Sequence, residues 1–428
     1  MSNTPGISRL ETRFLAVVLV GGLLAACEPR DSLAETPVAR RITGRTFPSV
    51  FQAWNPADNL NEERVATEAR HDLIFHGERF FGLRWDHAHP GLATAFTPAS
   101  ISVGLERRRE LLRRNPNMVL LMEIRYRDAW GNPAAAGAGD ANDTAPSKQR
   151  PAFLPANHRW WKRDGNGRPV AGWEEGGYFQ LDVANPEYRE QVARQCKAAV
   201  RSGVVDGVML DWWTDDDDRL ALVKDIRQQI GDDALILVNA NDRQTPRTAS
   251  FVNGLFMECY RSKTPADWRR IAETLIWAET HLRSPRINCV ETWHHGTRAD
   301  AHLMRATTTL ALVHADGYCL FSDPNPLSTP DHLHSWYPFW ERRLGMPAGL
   351  GVPRADGAVM REFTRGTAVY NPMGNEPVTI QFDEPRDSVA TGKRSQVHAV
   401  EPCDGDVFLR VQSADRQPDG DRRPATLP

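Results

Sequence analysis

The chain has no excess of positive charge. Its 52 Lys and Arg face 55 Asp and Glu over 428 residues, a net charge of -3. That excludes the basic footprint by which nucleic-acid-binding proteins hold phosphates, so no nucleic-acid partner is expected. Cysteine is sparse, six in all, and no two form a Cys-x-x-Cys pair, which removes a zinc-ribbon reading. No Gly-rich turn follows an early strand, so an open doubly wound sheet would lack its phosphate cradle. Beyond residue 27 no apolar run is long enough to cross a bilayer. These absences leave no cofactor and no metal to expect.

The one long apolar run is residues 14–26, led by Arg9 and Arg13 and ending in small residues. It is too short to span a membrane comfortably and has the pattern of a signal peptide. Its end, Leu24-Ala25-Ala26-Cys27, resembles a bacterial lipobox. The resemblance implies cleavage before Cys27 and lipidation of its sulfur, with the lipid as the only membrane anchor. Glu28 follows in place of Asp, which by the sorting rule for such lipoproteins implies the cell envelope, at the outer membrane of a Gram-negative bacterium. Residues 28–47 are polar and read as a tether.

From residue 48 to residue 345 short apolar runs alternate with helix-like segments, the order expected of parallel strands with crossover helices. Strands are expected at 50–54, 73–75, 118–125, 205–211, 235–239, 254–258, 287–291 and 317–322. The helices carry readable starts at Thr97-Pro98, Asn185-Pro186 and Thr264-Pro265, an N-cap followed by a first-turn proline. Eight strands over roughly 300 residues predict an α/β fold, a (β/α)8 TIM barrel. The connection between the third and fourth strands is long. It holds a Gly/Ala stretch at 132–140, read as a mobile insert, and Trp160, Trp161 and Trp173, read as a wall of a cleft. Strand-like runs separated by turn residues over 346–412 predict a small C-terminal antiparallel β-domain. The tail 413–428 is polar and expected to be disordered.

Parallel strands of a barrel deliver their C-terminal ends to one mouth. The fourth run, Asp206-Gly-Val-Met-Leu-Asp211, ends in a carboxylate followed at once by Trp212 and Trp213. The sixth ends in Glu258 ahead of Tyr260, the seventh in Glu291 ahead of Trp293, and Asp323 follows the eighth. Converging carboxylates beside indoles suit the cleavage of a glycosidic bond, where one carboxyl protonates the leaving oxygen and another is nucleophile or base. Asp211 is expected as nucleophile or base and Glu258 as general acid/base. Crowded like charges keep one of the two protonated. Trp212, Trp213, Trp160, Trp161, Tyr260 and Trp293 are candidate sugar platforms. Glu291, Asp323, Arg125 and Asn239 are candidate substrate contacts, with Arg125 equally readable as a structural ion pair. Asp206, at the start of its strand, belongs at the opposite end of the barrel in a structural role.

The segment Asp206–Trp212, preceded by a helix that begins Asn185-Pro-Glu-Tyr-Arg189, resembles the uncharacterised glycosyl-hydrolase-like TIM barrels, similar to polygalactosaminidase-type and α-galactosidase-type barrels. The run Arg361-Glu-Phe-Thr-Arg-Gly-Thr-Ala-Val-Tyr-Asn371-Pro372 resembles the β-domain that follows many of them. The likeness covers residues from about 48 to about 412. It implies a glycoside hydrolase acting on a poly- or oligosaccharide, with a strand-four Asp nucleophile matched by Asp211. It also implies a strand-six acid, which is Glu258 here where the better-known relatives often have Asp. Two rivals stand beside it. A lipoprotein with a decayed barrel would bind glycan without cleaving it. A metal-dependent amidohydrolase would use an HxH such as His87-Ala-His89 with His294-His295, but such barrels need HxH on strand one and further His on strands five and six.

Overall fold

A computed structural model describes residues 37–133, 152–173, 176–293, 298–322 and 332–411. Cys27 and the signal segment, the Gly/Ala stretch from residue 134, His294-His295, Asp323 and the tail from 413 lie outside the described residues.

Eight parallel strands neighbour one another in chain order. They are β1 (Phe51–Ala53), β2 (Leu73–His76), β3 (Val119–Glu123), β4 (Gly207–Leu210), β5 (Leu235–Asn239), β6 (Gly254–Cys259), β7 (Cys289–Trp293) and β8 (Tyr318–Ser322). The sheet nearly closes on itself: Val50 bridges Cys319 in parallel register, and the Cys319 amide donates to the Ser49 carbonyl at 2.9 Å. The strands are the expected ones because both their faces are covered, which makes a buried parallel strand a continuous apolar run. Every residue of β3, β4, β5 and β8 is buried.

The outer helices are α1 (Val38–Gly44), α2 (Arg64–Ala69), α3 (Pro98–Arg114), α4 (Pro186–Arg201), α5 (Asp217–Ile230), α6 (Pro265–His281) and α7 (Ala301–His314). Asn185 caps α4 by accepting from the Glu187 amide, and Thr264 and Asp267 form a capping box on α6. Thr97 precedes α3 but makes no side-chain cap, so there the proline alone marks the start. The acid run 215–218 is used locally, with Asp216 capping α5 through the Arg219 amide.

The bottom of the barrel is tied by polar residues at the strand starts. Asp206, whose carboxyl is tucked in although the residue is only part-buried, accepts from the Leu120 amide at 2.9 Å, from Arg108 Nη2 at 2.6 Å, and from Arg41. Asn253 and Asn288 repeat the device, accepting from the Ile236 amide at 3.0 Å and the Leu255 amide at 2.9 Å. Gly207 follows Asp206 because a Cβ there would stand 2.1 Å from the Leu235 carbonyl oxygen. Arg41 belongs to α1, and it is buried together with Arg45. The polar stretch 28–47 is therefore not a tether throughout: from Pro37 onward it is folded, with Arg41 paired to the Asp206 carboxylate and Arg45 donating to the Ile42 and Asp316 carbonyls.

After the barrel comes a six-stranded antiparallel sheet: β9 (Val352–Pro353), β10 (Val359–Phe363), β11 (Gly366–Asn371), β12 (Val378–Ser388), β13 (Arg394–Val400) and β14 (Asp404–Arg410), in the order β9-β10-β11-β14-β12-β13. It docks on α7 through Arg305, bidentate to Asp404 at 2.8 and 2.7 Å, and through Arg361, which donates to the Leu312 and Ala315 carbonyls. Cys289 and Cys319, on adjacent strands, are free thiols. Register explains why: Cys289 lies opposite Tyr318 and Cys319 opposite Val290, so the two side chains leave opposite faces of the sheet.

Candidate active site

The fourth strand ends at Leu210, and Asp211 is the first residue to leave the barrel wall at the mouth. Trp212 then takes a positive φ of 56°, which turns the chain so that the two indoles part company. Trp212 is 47% exposed, with the Arg127 guanidinium 4.4 Å over its ring. Trp213 is 0% exposed and donates from Nε1 to Thr248 Oγ1. The Tyr126 hydroxyl donates to the Trp212 carbonyl and the Trp213 amide donates to the Asn239 carbonyl, which fixes the turn.

Asn239, the last residue of β5, organises the centre. Its Nδ2 donates to Asp211 Oδ1 at 2.8 Å and to Glu258 Oε2 at 2.6 Å. Its Oδ1 accepts from the Asn241 amide at 3.1 Å, which sets the orientation of the carboxamide. Both hydrogens of the amide are thus spent on the two carboxyls. In this structure the carboxamide holds the two carboxyls and has no hydrogen left to donate to a sugar hydroxyl. Beyond Glu258, His332 Nε2 lies 3.8 Å from Glu258 Oε1. His332 Nδ1 is held by both oxygens of Glu291, at 3.0 and 2.9 Å, and Glu291 also accepts from the Ser322 hydroxyl. Glu291 is fully buried, so it positions a residue of the site and does not face a cleft. On the other side, Glu123 Oε2 accepts from Trp54 Nε1 at 2.8 Å, and Arg125 Nε lies 3.0 Å from Glu123 Oε1.

The electrostatics separate the two central carboxyls. Burial pushes Asp211 up to about 6, helped by the charge of Glu123 and opposed by the Asn239 hydrogen bond and by Arg125. Burial pushes Glu258 higher, to about 8; His332 opposes this, while the charges of Asp211 and Glu291 add to it. Burial alone would lower Arg125, but Glu123 and Asp211 outweigh it and hold the guanidinium charged. At neutral pH the pair therefore stands as one carboxylate, Asp211, and one acid, Glu258. Glu258 Oε2 accepts from Asn239, which leaves Oε1 free to carry the proton. Catalysis by this pair gives a bell-shaped kcat/KM, rising as Asp211 ionises near pH 6 and falling as Glu258 loses its proton near pH 8, the two limbs belonging to the pair jointly. A profile flat from pH 4 to 10 rejects the assignment.

The structure brings Asp211, Glu258, Asn239, Glu291, Arg125 and the half-buried Trp293, 5.3 Å from the His332 ring, to one region at the barrel mouth. Tyr260 is 50% exposed next to Glu258. Three of the expected sugar platforms fail because they are packed. Trp213 and Trp161 are fully buried, and Trp160 is buried against Tyr188. Trp161 closes on Gly131, where a Cβ would stand 2.7 Å from its ring, and pairs by its Leu181 bridge with the hairpin Asp128–Trp130/Tyr178–Gln180. His87 and His89 lie in the loop after β2, with Nδ1 atoms facing backbone carbonyls of His89 and Ala152. Sequence reasoning misses His332 and Trp54. Trp54 follows β1, so the strand-end rule that found Asp211 reaches it as well. His332 sits in a loop 41 positions beyond Glu291, and its only signal is the spacing His332-Leu-His334.

No known protein family matches the chain, and no curated protein does. Among solved structures it is similar to a maltogenic α-amylase from Thermotoga neapolitana, at 12% identity over 85% of this chain and 99% of that one, with a TM-score of 0.51. It is similar also to an α-amylase from Malbranchea cinnamomea, at 10% identity over 87% and 97% of the two chains, with a TM-score of 0.50. At this identity the likeness is one of fold: a TIM barrel followed by a β-sheet domain.

Proposed function

We propose that the protein is a glycoside hydrolase that cleaves an oligo- or polysaccharide with retention of anomeric configuration. The observation that carries this reading is the double hydrogen bond of Asn239. Two carboxyl oxygens at 2.8 and 2.6 Å from one nitrogen lie no more than about 5.4 Å apart. So close an approach of the two held oxygens favours the carboxyl spacing of about 5–5.5 Å of retaining enzymes over the ~6.5–9.5 Å of inverting ones. The two amylases of like fold agree with carbohydrate as the substrate class. So does the resemblance of Asp206–Trp212 to polygalactosaminidase-type and α-galactosidase-type barrels.

In the first step Asp211, through the oxygen that Asn239 does not hold, attacks the anomeric carbon. Glu258 gives its Oε1 proton to the departing glycosidic oxygen, leaving a glycosyl ester on Asp211. In the second step the Glu258 carboxylate takes a proton from water, the hydroxide oxygen bonds to the anomeric carbon, and the Asp211 ester bond breaks. Both carboxyls return to their starting states.

The test is a panel of polysaccharides and aryl glycosides, followed by reducing-end release and by proton NMR of the first anomer formed. A 2-deoxy-2-fluoro glycosyl fluoride should label the peptide containing Asp211. An inverted first product, or label on another residue, overturns the mechanism. Glycan binding without any turnover makes the protein a binding module.

A further inference from the structure

Beside the carboxyl pair, between the ends of β1, β2 and β3, lies a cavity of about 230 Å³ walled by Trp54, His76, Glu78, Trp85, Glu123 and Arg125. That is room for about seven waters, the scale of one sugar ring. Two polar atoms of its wall, His76 Nδ1 and Glu123 Oε1, are buried and accept or donate no hydrogen bond among the described residues. Glu123 itself is more than nine-tenths buried, and Arg125 Nε stands near its Oε1 as an ion-pair neighbour outside hydrogen-bond geometry. Buried polar atoms are nearly always satisfied, so a cavity with two that lack a hydrogen bond has the room and the polar groups to receive a ligand bearing hydroxyls. Burial lowers His76 to about 4, so its ring is neutral at working pH and can serve a hydroxyl.

The cavity continues outward. A second one, of about 550 Å³, shares Glu78, Arg79, Trp85 and Pro90 with the first and runs past Ser100 and Val103. Trp85 thus stands between the two, braced by Phe96 at 4.0 Å and 26° between ring planes. A braced indole between two hollows is the arrangement that carries a chain of rings from one to the next. The charges of the inner cavity balance, Glu78 and Glu123 against Arg79 and Arg125, so its walls call for no ionic group on the sugar.

Resting on the hydrolase reading, we propose that the cavity bounded by Trp54, His76, Trp85 and Glu123 is a subsite for a neutral, hydroxyl-bearing sugar unit next to the one cleaved. The groove beyond Trp85 continues it, so the substrate is a neutral glycan chain longer than a disaccharide.

Two measurements test this. In the first, kcat/KM is taken for an aryl monoglycoside and for a ladder of neutral oligosaccharides, with wild type, Trp85→Ala and His76→Ala. The long-to-short ratio should fall about tenfold in each variant, the worth of one lost stacking or hydrogen-bonding contact. An unchanged ratio overturns the subsite. In the second, binding of the same ladder to Glu258→Gln protein is measured by calorimetry, with and without Trp85→Ala. Binding that strengthens with length and weakens about tenfold on Trp85→Ala supports the subsite even where wild type hydrolyses nothing, in which case the hydrolase reading alone fails. No binding of neutral chains, or tighter binding of hexosamine or uronic acid polymers, overturns the proposal. Thermal unfolding of each variant near the wild-type temperature confirms that the fold is intact.

Discussion

Glu258→Gln and Asp211→Asn are expected to abolish glycan hydrolysis and, at the same time, to make the protein more stable. Loss of a general acid costs about 10²–10⁴ in kcat on substrates with poor leaving groups. Loss of a nucleophile, whose partners act with it as a unit, costs about 10⁴ or more. The stability gain follows from the sign of the shifts. Both carboxyls have folded-state pKa values above their unfolded ones, to about 6 for Asp211 and about 8 for Glu258. The folded protein therefore binds more protons than the unfolded chain, and stability falls as pH rises from about 4 through those values. A neutral isostere removes that cost. The expected gain is about 1–3 kcal/mol at pH 7 for Glu258→Gln, vanishing near pH 4, where the wild-type carboxyl is protonated in both states. Thermal unfolding of wild type and variants at pH 4.5 and 8 measures it. Variants that lose stability at pH 8 while keeping activity show that the pair is a structural ion cluster. Opposed effects on stability and activity are the mark of a site assembled at the expense of the fold.

What the sequence discloses follows the strength of local rules. All eight strands are readable because burial on both faces makes each one an apolar run, and the meeting of Asp211 and Glu258 is readable because a barrel delivers strand ends to one mouth. The caps of α4 and α6 are equally local. The faces of the indoles are not. Trp212 and Trp213 look alike in sequence, yet the positive φ at Trp212 sends one to solvent and the other into the core. Trp161 is packed within its own insert against Gly131 and beside Leu181, and Trp160 against Tyr188 of α4, contacts that no local rule announces. The anchoring of α1 is out of reach too: Arg41 and Arg45 belong to a polar stretch that reads as a tether until Asp206 and distant carbonyls stand beside them. His332 enters the site by tertiary contact alone, since nothing within its own loop predicts that Glu291 will seize its ring.

Asn239 tests the architecture most sharply, because sequence and structure give it different work. As a sugar contact, its loss would raise KM and leave the pH profile in place. As the donor that holds both carboxyls, its loss acts on kcat and on both limbs of the bell. Its hydrogen bonds favour the charged forms of Asp211 and Glu258 and so lower both pKa values. In Asn239→Ala both therefore rise, and the active window moves to higher pH. The acid limb leaves its place near pH 6 because Asp211 ionises later, and the alkaline limb moves above pH 8 because Glu258 keeps its proton longer. The height of the bell should fall by about 10²–10³, the range for removing one oriented donor from a site of developing charge. Two part-buried carboxyl oxygens also lose their donor, at a cost of about 1–3 kcal/mol in stability. Asn239→Gln keeps the amide but displaces it by one methylene, so it should restore the position of the limbs better than the height of the curve. A raised KM with both limbs unmoved returns Asn239 to the substrate and leaves Asp211 and Glu258 without the bond that sets their separation.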